Sequence, residues 1–436
     1  MKRTYVSELT YHAGKTGLVQ GWLHKRRDLG GIAFLVLRDR SGLVQAVVKD
    51  DGEKAKLDGL QNGTVLEITG QIVADERAMG GVEIHEPKLT VVVPVTEVLP
   101  IEIDKPIDHL SENFDTLFEY RALSLRNPQE QQVFLIRAAL LREIRAYLDK
   151  DNFVEIQTPK LVAGAAEGGA EVFRTDYFGQ EATLAQSPQL YKQMMVGVFE
   201  KVFEIGPAFR AEPSVTTRHM SEVTMLDIEM GFIEDHDDVL QALEAMVYHV
   251  VKTVYQQFGQ QLTAMGAPEL VLKQRFPRYS MAKIHELYSA ATGKDTTGES
   301  DLLPEEERWI CEYAKEHDGC EAVFATQLPV SKMKFYHMKS ADGQSAKSAD
   351  LLFRGVEIAT APQREHRYDV LLEQMKAAGV DPADPGFSYY LQAFRFGLPA
   401  HGGCGFGIDR LTQLVCGLGN VKEATLFPRD TKRLTP

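Results

Sequence analysis

Three stretches of the chain concentrate side chains suited to polyphosphate chemistry. Phe209-Arg210-Ala211-Glu212 is followed by Thr216-Thr217-Arg218-His219 and then by Asp227-Ile228-Glu229. The pattern reads as two strands joined by a polar loop, with Arg210, Arg218 and His219 converging near the loop. Guanidinium forks match phosphate oxygens, so such a cluster suits a polyphosphate; on an ordinary loop the same residues would be solvated surface. The second stretch, Gly402-Gly403-Cys404-Gly405-Phe406-Gly407-Ile408-Asp409-Arg410, reads as a glycine-dense strand entering a helix with Arg410 in its first turn. Glycines there would let a flat ligand approach the backbone. The run is neither GxxxxGK[ST] nor a GxGxxG followed by a distant acid, and alone it is weak evidence. The third is Asp350 and Glu357, seven positions apart in Asp-Leu-Leu-Phe-Arg-Gly-Val-Glu. On an uninterrupted strand that spacing puts them on opposite faces, so convergence on a cation requires a bend or bulge near Arg354-Gly355.

Elements to position these residues are visible in the hydrophobic pattern. Leu18 to Leu23, Ala33 to Leu37, Leu43 to Val48, Val65 to Val73 and Val82 to Val93 are β-rich runs separated by Gly-rich and Asp-rich turns, which suggests a small closed barrel of the OB type. Between Leu99 and Arg126, prolines and mixed charge read as a linker. Asn127-Pro128 with Glu130 then supplies an N-cap, a first-turn proline and a capping-box acid, followed by Phe134, Leu141, Ile144 and Leu148 on a helical stripe. A second helix is expected from Asp235 to about Gly259, with strands at 181–185, 201–205, 223–232, 351–358 and 402–406. The predicted organisation is an N-terminal OB-fold barrel over 1–100, a hinge over 101–127, and an α+β domain over 128–436 with an antiparallel sheet and a variable, insertion-like region at 260–345.

With 436 residues, 44% apolar and 25% charged, the chain has material for two or three domains, which excludes wholesale disorder. A formal charge of −14 argues against a broad nucleic-acid surface but allows local basic patches. Cysteines 311, 320, 404 and 416 form neither a CxxC pair nor a disulfide framework. The N-terminus lacks an apolar leader region, and no run approaches 18 uncharged apolar residues, so a soluble cytoplasmic protein without membrane contact is expected.

Taken together, these segments resemble the three motifs of class II aminoacyl-tRNA synthetases. The first would be the 128–150 helix and Phe153 to Pro159, the second the FRAE, TRH and DIE blocks, and the third GFGIDR. An N-terminal OB barrel marks the subgroup charging aspartate, asparagine or lysine, and the compact form looks like the archaeal and eukaryotic branch of the aspartyl-tRNA synthetases. The resemblance implies a homodimer with Pro159 at its interface, and ATP, L-aspartate and tRNA-Asp as substrates. It assigns Asp350 and Glu357 to Mg²⁺; the hard oxygen ligands fit magnesium, and no Cys or His set suggests zinc. Arg210 would neutralise the α-phosphate, with Glu212, Arg218, His219, Glu357 and Arg410 completing the ATP site.

For the amino acid, Gln186-Ser187-Pro188-Gln189-Leu190-Tyr191-Lys192 places Lys192 on a turn lining the pocket, where the asparagine enzymes resemble QLYLE. A buried ammonium favours a side-chain carboxylate over an amide, and Arg364 matches the family arginine that grips it. Glu171, Ser187, Gln189 and Asp227 resemble the receptors of the α-ammonium, with 163–171 a lid of small residues. Two departures stand out: Val223 replaces an aromatic that stacks on adenine, and Ala361-Pro362 replaces Gly-Ala before Gln363-Arg364.

On the barrel, Arg27, Phe34, Gln45 and Glu83 fall where the family reads the anticodon, with residue types suited to unpaired bases. His24 stands where enzymes restricted to tRNA-Asp often carry tryptophan and relaxed ones tend to carry histidine. The expected activity therefore extends to tRNA-Asn, with a strictly tRNA-Asp enzyme as the alternative. An ammonia-dependent asparagine synthetase would have no anticodon to read and hence no use for the barrel. A catalytically dead paralogue would be expected to lose motif arginines or the acid pair, and none is missing.

Overall fold

The computed structural model describes residues 1–105, 113–163, 171–213 and 216–436. The chain divides into two compact units, 1–131 and 132–436. No helix among the described residues is long and apolar enough to cross a membrane.

The first unit is a closed five-stranded barrel of β1 (Thr16–Leu29), β2 (Ile32–Asp39), β3 (Gly42–Val48), β4 (Val65–Ala74) and β5 (Val82–Val93), in the order β1-β2-β3-β5-β4. Alternation drives closure: Ala33, Leu35 and Leu37 point into the core with Val44, Ala46 and Ile68, while Phe34 is excluded from it. β1 runs six residues beyond the expected end at Leu23, because Gly30 and Gly31, at φ 56° and 84°, form a two-residue turn that pairs Leu29 with Ile32. A bulge between Leu23 and Lys25 falls at His24.

The stretch read as a linker contains two short helices, Phe114–Glu119 and Arg121–Ser124, and buries Ile101 and Ile103. Residues 106–112 lie outside the described set. Glu130 does not close a capping box. Its carboxylate accepts from Arg121 at 2.8 Å in a buried pair, and the Asn127 N–H is already bonded to Ser124 O. Asn127 does cap the helix Pro128–Lys150, accepting from the Gln129 N–H at 2.9 Å.

The second unit is built on an eight-stranded sheet. In chain order its strands are β6 (Val154–Glu155), β10 (Lys201–Phe209), β11 (Glu222–Gly231), β12 (Arg278–Ser280), β13 (Ala322–Thr326), β14 (Ser348–Phe353), β15 (Val356–Pro362) and β16 (His401–Gly407). A separate three-stranded sheet holds β7 (Leu161–Val162), β8 (Arg174–Tyr177) and β9 (Gln180–Leu184). The large sheet is antiparallel in its body, as expected, and departs from a purely antiparallel one at its edges. The six central strands, in the order β13-β14-β15-β16-β11-β10, pair antiparallel, but β12 joins β13 and β6 joins β10 in parallel. Two edge strands delivered by helical connections account for the difference.

The apolar stripe of Pro128–Lys150 is rotated from the one read in the sequence: Val133, Ile136, Leu140, Ile144 and Leu148 are buried, and Phe134 and Leu141 only partly so. It shares one core with Leu240, Leu243, Val247, Val251 and Val254 of the helix His236–Ala264, which kinks at Phe258 and continues past Gly259. The expected strand 351–358 is a hairpin, β14 and β15. Region 260–345 is not an appendage: it supplies β12 and β13 to the main sheet and packs helices Met281–Thr292 and Pro304–Asp318 over β13 through Ile284, Ile310 and Ala314.

Candidate active site

Strand alternation separates the core from the chemistry. Along β11, Leu226 and Ile228 enter the helix-covered core, whereas Val223, Met225 and Asp227 line an open cleft of about 680 Å³ on the other face. The same cleft is lined by Glu171, Ser187, Gln189, Arg210, Glu212, Arg218, His219, Asp350, Glu357, Arg364 and Arg410, which unites residues as far apart as 171 and 410. Of the expected lid, residues 164–170 lie outside the described set.

The glycine run on β16 divides by face. Gly405 and Gly407 line the cleft, as a strand approached by a flat ligand would. Gly403 serves packing instead: a Cβ there would lie 1.9 Å from Ile228 O and 2.6 Å from Glu229 Oε2, so its absence makes room for that carboxylate. Glu229 is fully buried and accepts from Arg364 Nε at 2.8 Å and from a terminal nitrogen at 3.0 Å. Lys192 stands one layer behind the cleft wall, not on it. Its ammonium donates to Asp227 Oδ1 and to Cys404 O, each at 2.9 Å, with Glu229 Oε2 at 3.5 Å. Two buried cations thus meet two buried carboxylates. Burial alone would raise the Glu229 carboxyl, but Arg364 and Lys192 outweigh it and hold the group below the ordinary carboxylate range. Arg364 keeps one terminal nitrogen for which no acceptor is found among the described residues.

A hydrogen-bond relay orients Gln189. The His401 Nδ1–H donates to Pro399 O at 2.8 Å, so Nε2 accepts from Gln193 Nε2 at 2.9 Å. Gln193 Oε1 then accepts from Gln189 Nε2 at 3.0 Å and from the Tyr390 hydroxyl at 3.2 Å. With its nitrogen engaged, Gln189 turns its carbonyl oxygen outward as an acceptor, the right polarity for an ammonium. The relay needs a neutral imidazole, and burial lowers His401 to about 4. Glu229, Gln193 and His401 were missed in the sequence; Glu229 was visible only as the last letter of the DIE block.

At the outer end of the cleft, Arg410 donates to Glu357 O at 2.7 Å, and Arg210 and His219 each lie 4.0 Å from Glu212. Burial and the neighbouring Arg410 lower the His219 pKa, which favours its neutral form. Arg218 is bonded to Glu307 and to Gly355 O. Val223 joins Met220 and Met225 as aliphatic lining where a stacking aromatic was looked for.

Asp350 and Glu357 converge because the chain reverses between them. Arg354 and Gly355, at φ 50° and 77°, make a two-residue turn, and Leu352 opposes Glu357. A bulge at Leu351/Leu352 then sets Thr360 opposite Asp350, and the Thr360 hydroxyl donates to Glu357 at 3.1 Å. Asp350 Oδ1 is buried without a protein partner, and burial together with Glu357 pushes its carboxyl well above the ordinary range. An acid pair with an orphaned oxygen, partly offset by Arg410 at 3.8 Å from Glu357, fits a hard divalent cation, and magnesium commonly takes one or two carboxylates and fills its remaining positions with water and phosphate. No group of three or more His, Cys, Asp or Glu suited to a metal occurs among the described residues.

On the barrel, Arg27 opposes Phe34, Val36 opposes Gln45, and Gln45 Nε2 donates to Glu83 at 2.8 Å. Arg27 and Phe34 belong to one row and Gln45 and Glu83 to the next across β1, β2, β3 and β5. His24, at the β1 bulge, is 7% exposed, its Nδ1 has no partner, and burial and Arg38 lower its pKa.

Comparison with known proteins places this geometry. Residues 113–431 match the family described as tRNA synthetases class II (D, K and N), and residues 18–92 match the OB-fold nucleic acid binding domain. The chain is 43% identical to the aspartate--tRNA(Asp/Asn) ligase of Thermus thermophilus and 40% identical to the aspartate--tRNA(Asp) ligase of Pyrococcus abyssi, covering all of both chains in each case. Among solved structures it resembles the asparaginyl-tRNA synthetase of Pyrococcus horikoshii complexed with asparaginyl-adenylate, with a TM-score of 0.91, 31% identity and full coverage of both chains.

Glu229→Gln leaves two buried cations short of an anion, a loss of about 3–5 kcal/mol. At roughly 2–4 °C per kcal/mol, the melting temperature at pH 7 should fall by about 6 °C or more. Because the folded-state pKa is depressed, this contribution is present above the ordinary carboxylate range and lost as pH falls through the folded value. Thermal scans from pH 7 to pH 3 should therefore show the wild-type advantage shrinking toward acid.

Proposed function

The chain belongs to the class II tRNA synthetases of the D, K and N group, and from that membership we propose that it joins L-aspartate to tRNA at the expense of ATP. The observation that carries the choice of amino acid is the closed end of the cleft, where Arg364 keeps a nitrogen for an incoming carboxylate and Lys192 backs Asp227. An amide oxygen would accept from that nitrogen as a neutral group, a weaker bond than a carboxylate makes, and a lysine ammonium would be repelled by it. The fold does not make this distinction, since an asparagine enzyme shares it.

In the first step the α-carboxylate of aspartate attacks the α-phosphorus of ATP in line, forming aspartyl-adenylate and releasing pyrophosphate. In the second, a ribose hydroxyl of the terminal adenosine takes the aspartyl group and AMP leaves. Gln189, Ser187, Asp227 and Glu171 hold the α-ammonium, Arg210 neutralises the α-phosphate with Glu212 beside it, and Arg218, His219 and Arg410 receive the outer phosphates. Positioning and charge neutralisation suffice for such transfers. Magnesium held by Asp350 and Glu357 would supply further neutralisation of phosphate charge.

Arg27, Phe34, Gln45 and Glu83 read the anticodon, and the reading extends to tRNA-Asn. Aspartate and asparagine anticodons differ at one pyrimidine, and a neutral His24 with an unpaired nitrogen can donate or accept in place of a bulky indole. The protein works in the cytoplasm as a homodimer. The exposed edge strand β6, exposed Pro159 and exposed Phe173, Tyr177 and Phe178 support a self-complementary interface.

Aspartate-dependent pyrophosphate exchange and charging of separated tRNAs test the function. Aspartate, not asparagine or lysine, should support exchange, and kcat/KM for tRNA-Asn should lie within about 10³-fold of that for tRNA-Asp, a gap of roughly 4 kcal/mol at most. His24→Trp should widen the gap, and an unchanged ratio would remove His24 as the determinant. Light scattering should give about twice 48.7 kDa. Asp350→Asn relieves acid–acid repulsion, so without divalent ions it should melt a few degrees higher, on the order of 1 kcal/mol, while losing exchange. Magnesium at 100 times its Kd should stabilise the wild type by about 2.7 kcal/mol and leave the variant unmoved; an equal shift in both would discard this metal site.

A further inference from the structure

Region 260–345 contributes Asp301, Lys332 and Lys334 to the cleft lining, and from behind the wall it also holds one of the cleft's arginines. Glu307, in the first turn of the helix Pro304–Asp318, accepts a hydrogen bond from a terminal nitrogen of Arg218 across 89 positions of sequence. The other terminal nitrogen of Arg218 donates at 3.2 Å to Gly355 O, in the turn of the hairpin that carries Asp350 and Glu357. The next residue, Arg308, fills the space over that turn: a Cβ on Gly355 would lie 2.7 Å from Arg308 Cγ. Two adjacent residues of one helix therefore hold both the free loop arginine and the hairpin turn.

Arg218 comes from a polar loop whose residues 214–215 lie outside the described set, and a long side chain on such a loop loses considerable rotamer freedom when it must meet a ligand. Glu307 is poorly exposed, and its carboxyl faces Arg218, Arg410 and Glu357; burial raises its pKa while the two arginines oppose the rise. Its bond uses a single nitrogen of a five-donor group, so the guanidinium can still present donors to the cleft that it lines.

We propose that Glu307 is a positioning residue for ATP, which holds the Arg218 guanidinium against the Gly355 turn before the outer phosphates arrive. This gives the 260–345 region a part in nucleotide binding, and it rests on the reading of the cleft as an ATP site.

Glu307→Gln keeps the shape and removes the charge. ATP affinity by calorimetry, and KM for ATP in pyrophosphate exchange, should weaken on the order of tenfold, with KM for aspartate within about twofold. Glu307→Asp should recover part of the loss. In an Arg218→Gln background Glu307→Gln should add nothing, because both changes remove one interaction. Unchanged or tighter ATP binding, equal losses for ATP and aspartate with a lowered melting temperature, or additivity in the Arg218→Gln background would each overturn the proposal. Failure of the wild type to catalyse exchange would instead overturn the functional reading, and calorimetry would still decide the role of Glu307.

Discussion

Burying a cation without a matched anion costs several kcal/mol, and the second unit is arranged around meeting that condition twice. Arg364 and Lys192 each need a carboxylate deep in the molecule, and both carboxylates come from β11, two residues apart on one face. The neighbouring strand must then come close without a side chain in the way, which is why position 403 is glycine. The amino-acid end of the cleft is thereby rigid and electrically balanced before any ligand enters. A carboxylate added there meets a fixed donor and does not have to order one.

The nucleotide end is built on the opposite principle. Asp350 and Glu357 face one another with Arg410, 3.8 Å from Glu357, offsetting only part of their repulsion, and burial among three arginines lowers the His219 pKa. Such unspent charge destabilises the empty protein and becomes favourable when a polyanion and a divalent cation occupy the cleft together. Strand alternation allows both ends to share one sheet. A single strand such as β11 contributes alternately to a dry core and to a charged wall, so the helices that stabilise the unit also brace the site.

Alternation likewise organises the barrel. An acidic chain can still offer a nucleic-acid face when its outward residues are selected strand by strand, and Arg27, Phe34 and Gln45 occupy outward positions beside core residues Ala33, Leu35 and Ala46. The charge of −14 is therefore a property of the whole chain and not of this face.

Local patterns were legible in the sequence. The barrel strands, the two long helices, the cap at Asn127 and the requirement for a bend or bulge near Arg354-Gly355 all follow from periodicity and turn chemistry within a few residues. The motif residues Arg210, Arg218, His219, Asp227, Arg364 and Arg410 stood out by type and order. Tertiary structure alone decided their partners. Arg364 with Glu229 spans 135 positions and Gln193 with His401 spans 208. Glu130 was taken from a capping box by Arg121, Lys192 retreated behind the cleft wall, and Glu307 joined the nucleotide end from a region read as an insertion. Periodicity reports which face a residue occupies, whereas the partner it meets depends on sheet order and on close approaches between strands. Those are fixed only when the whole core packs.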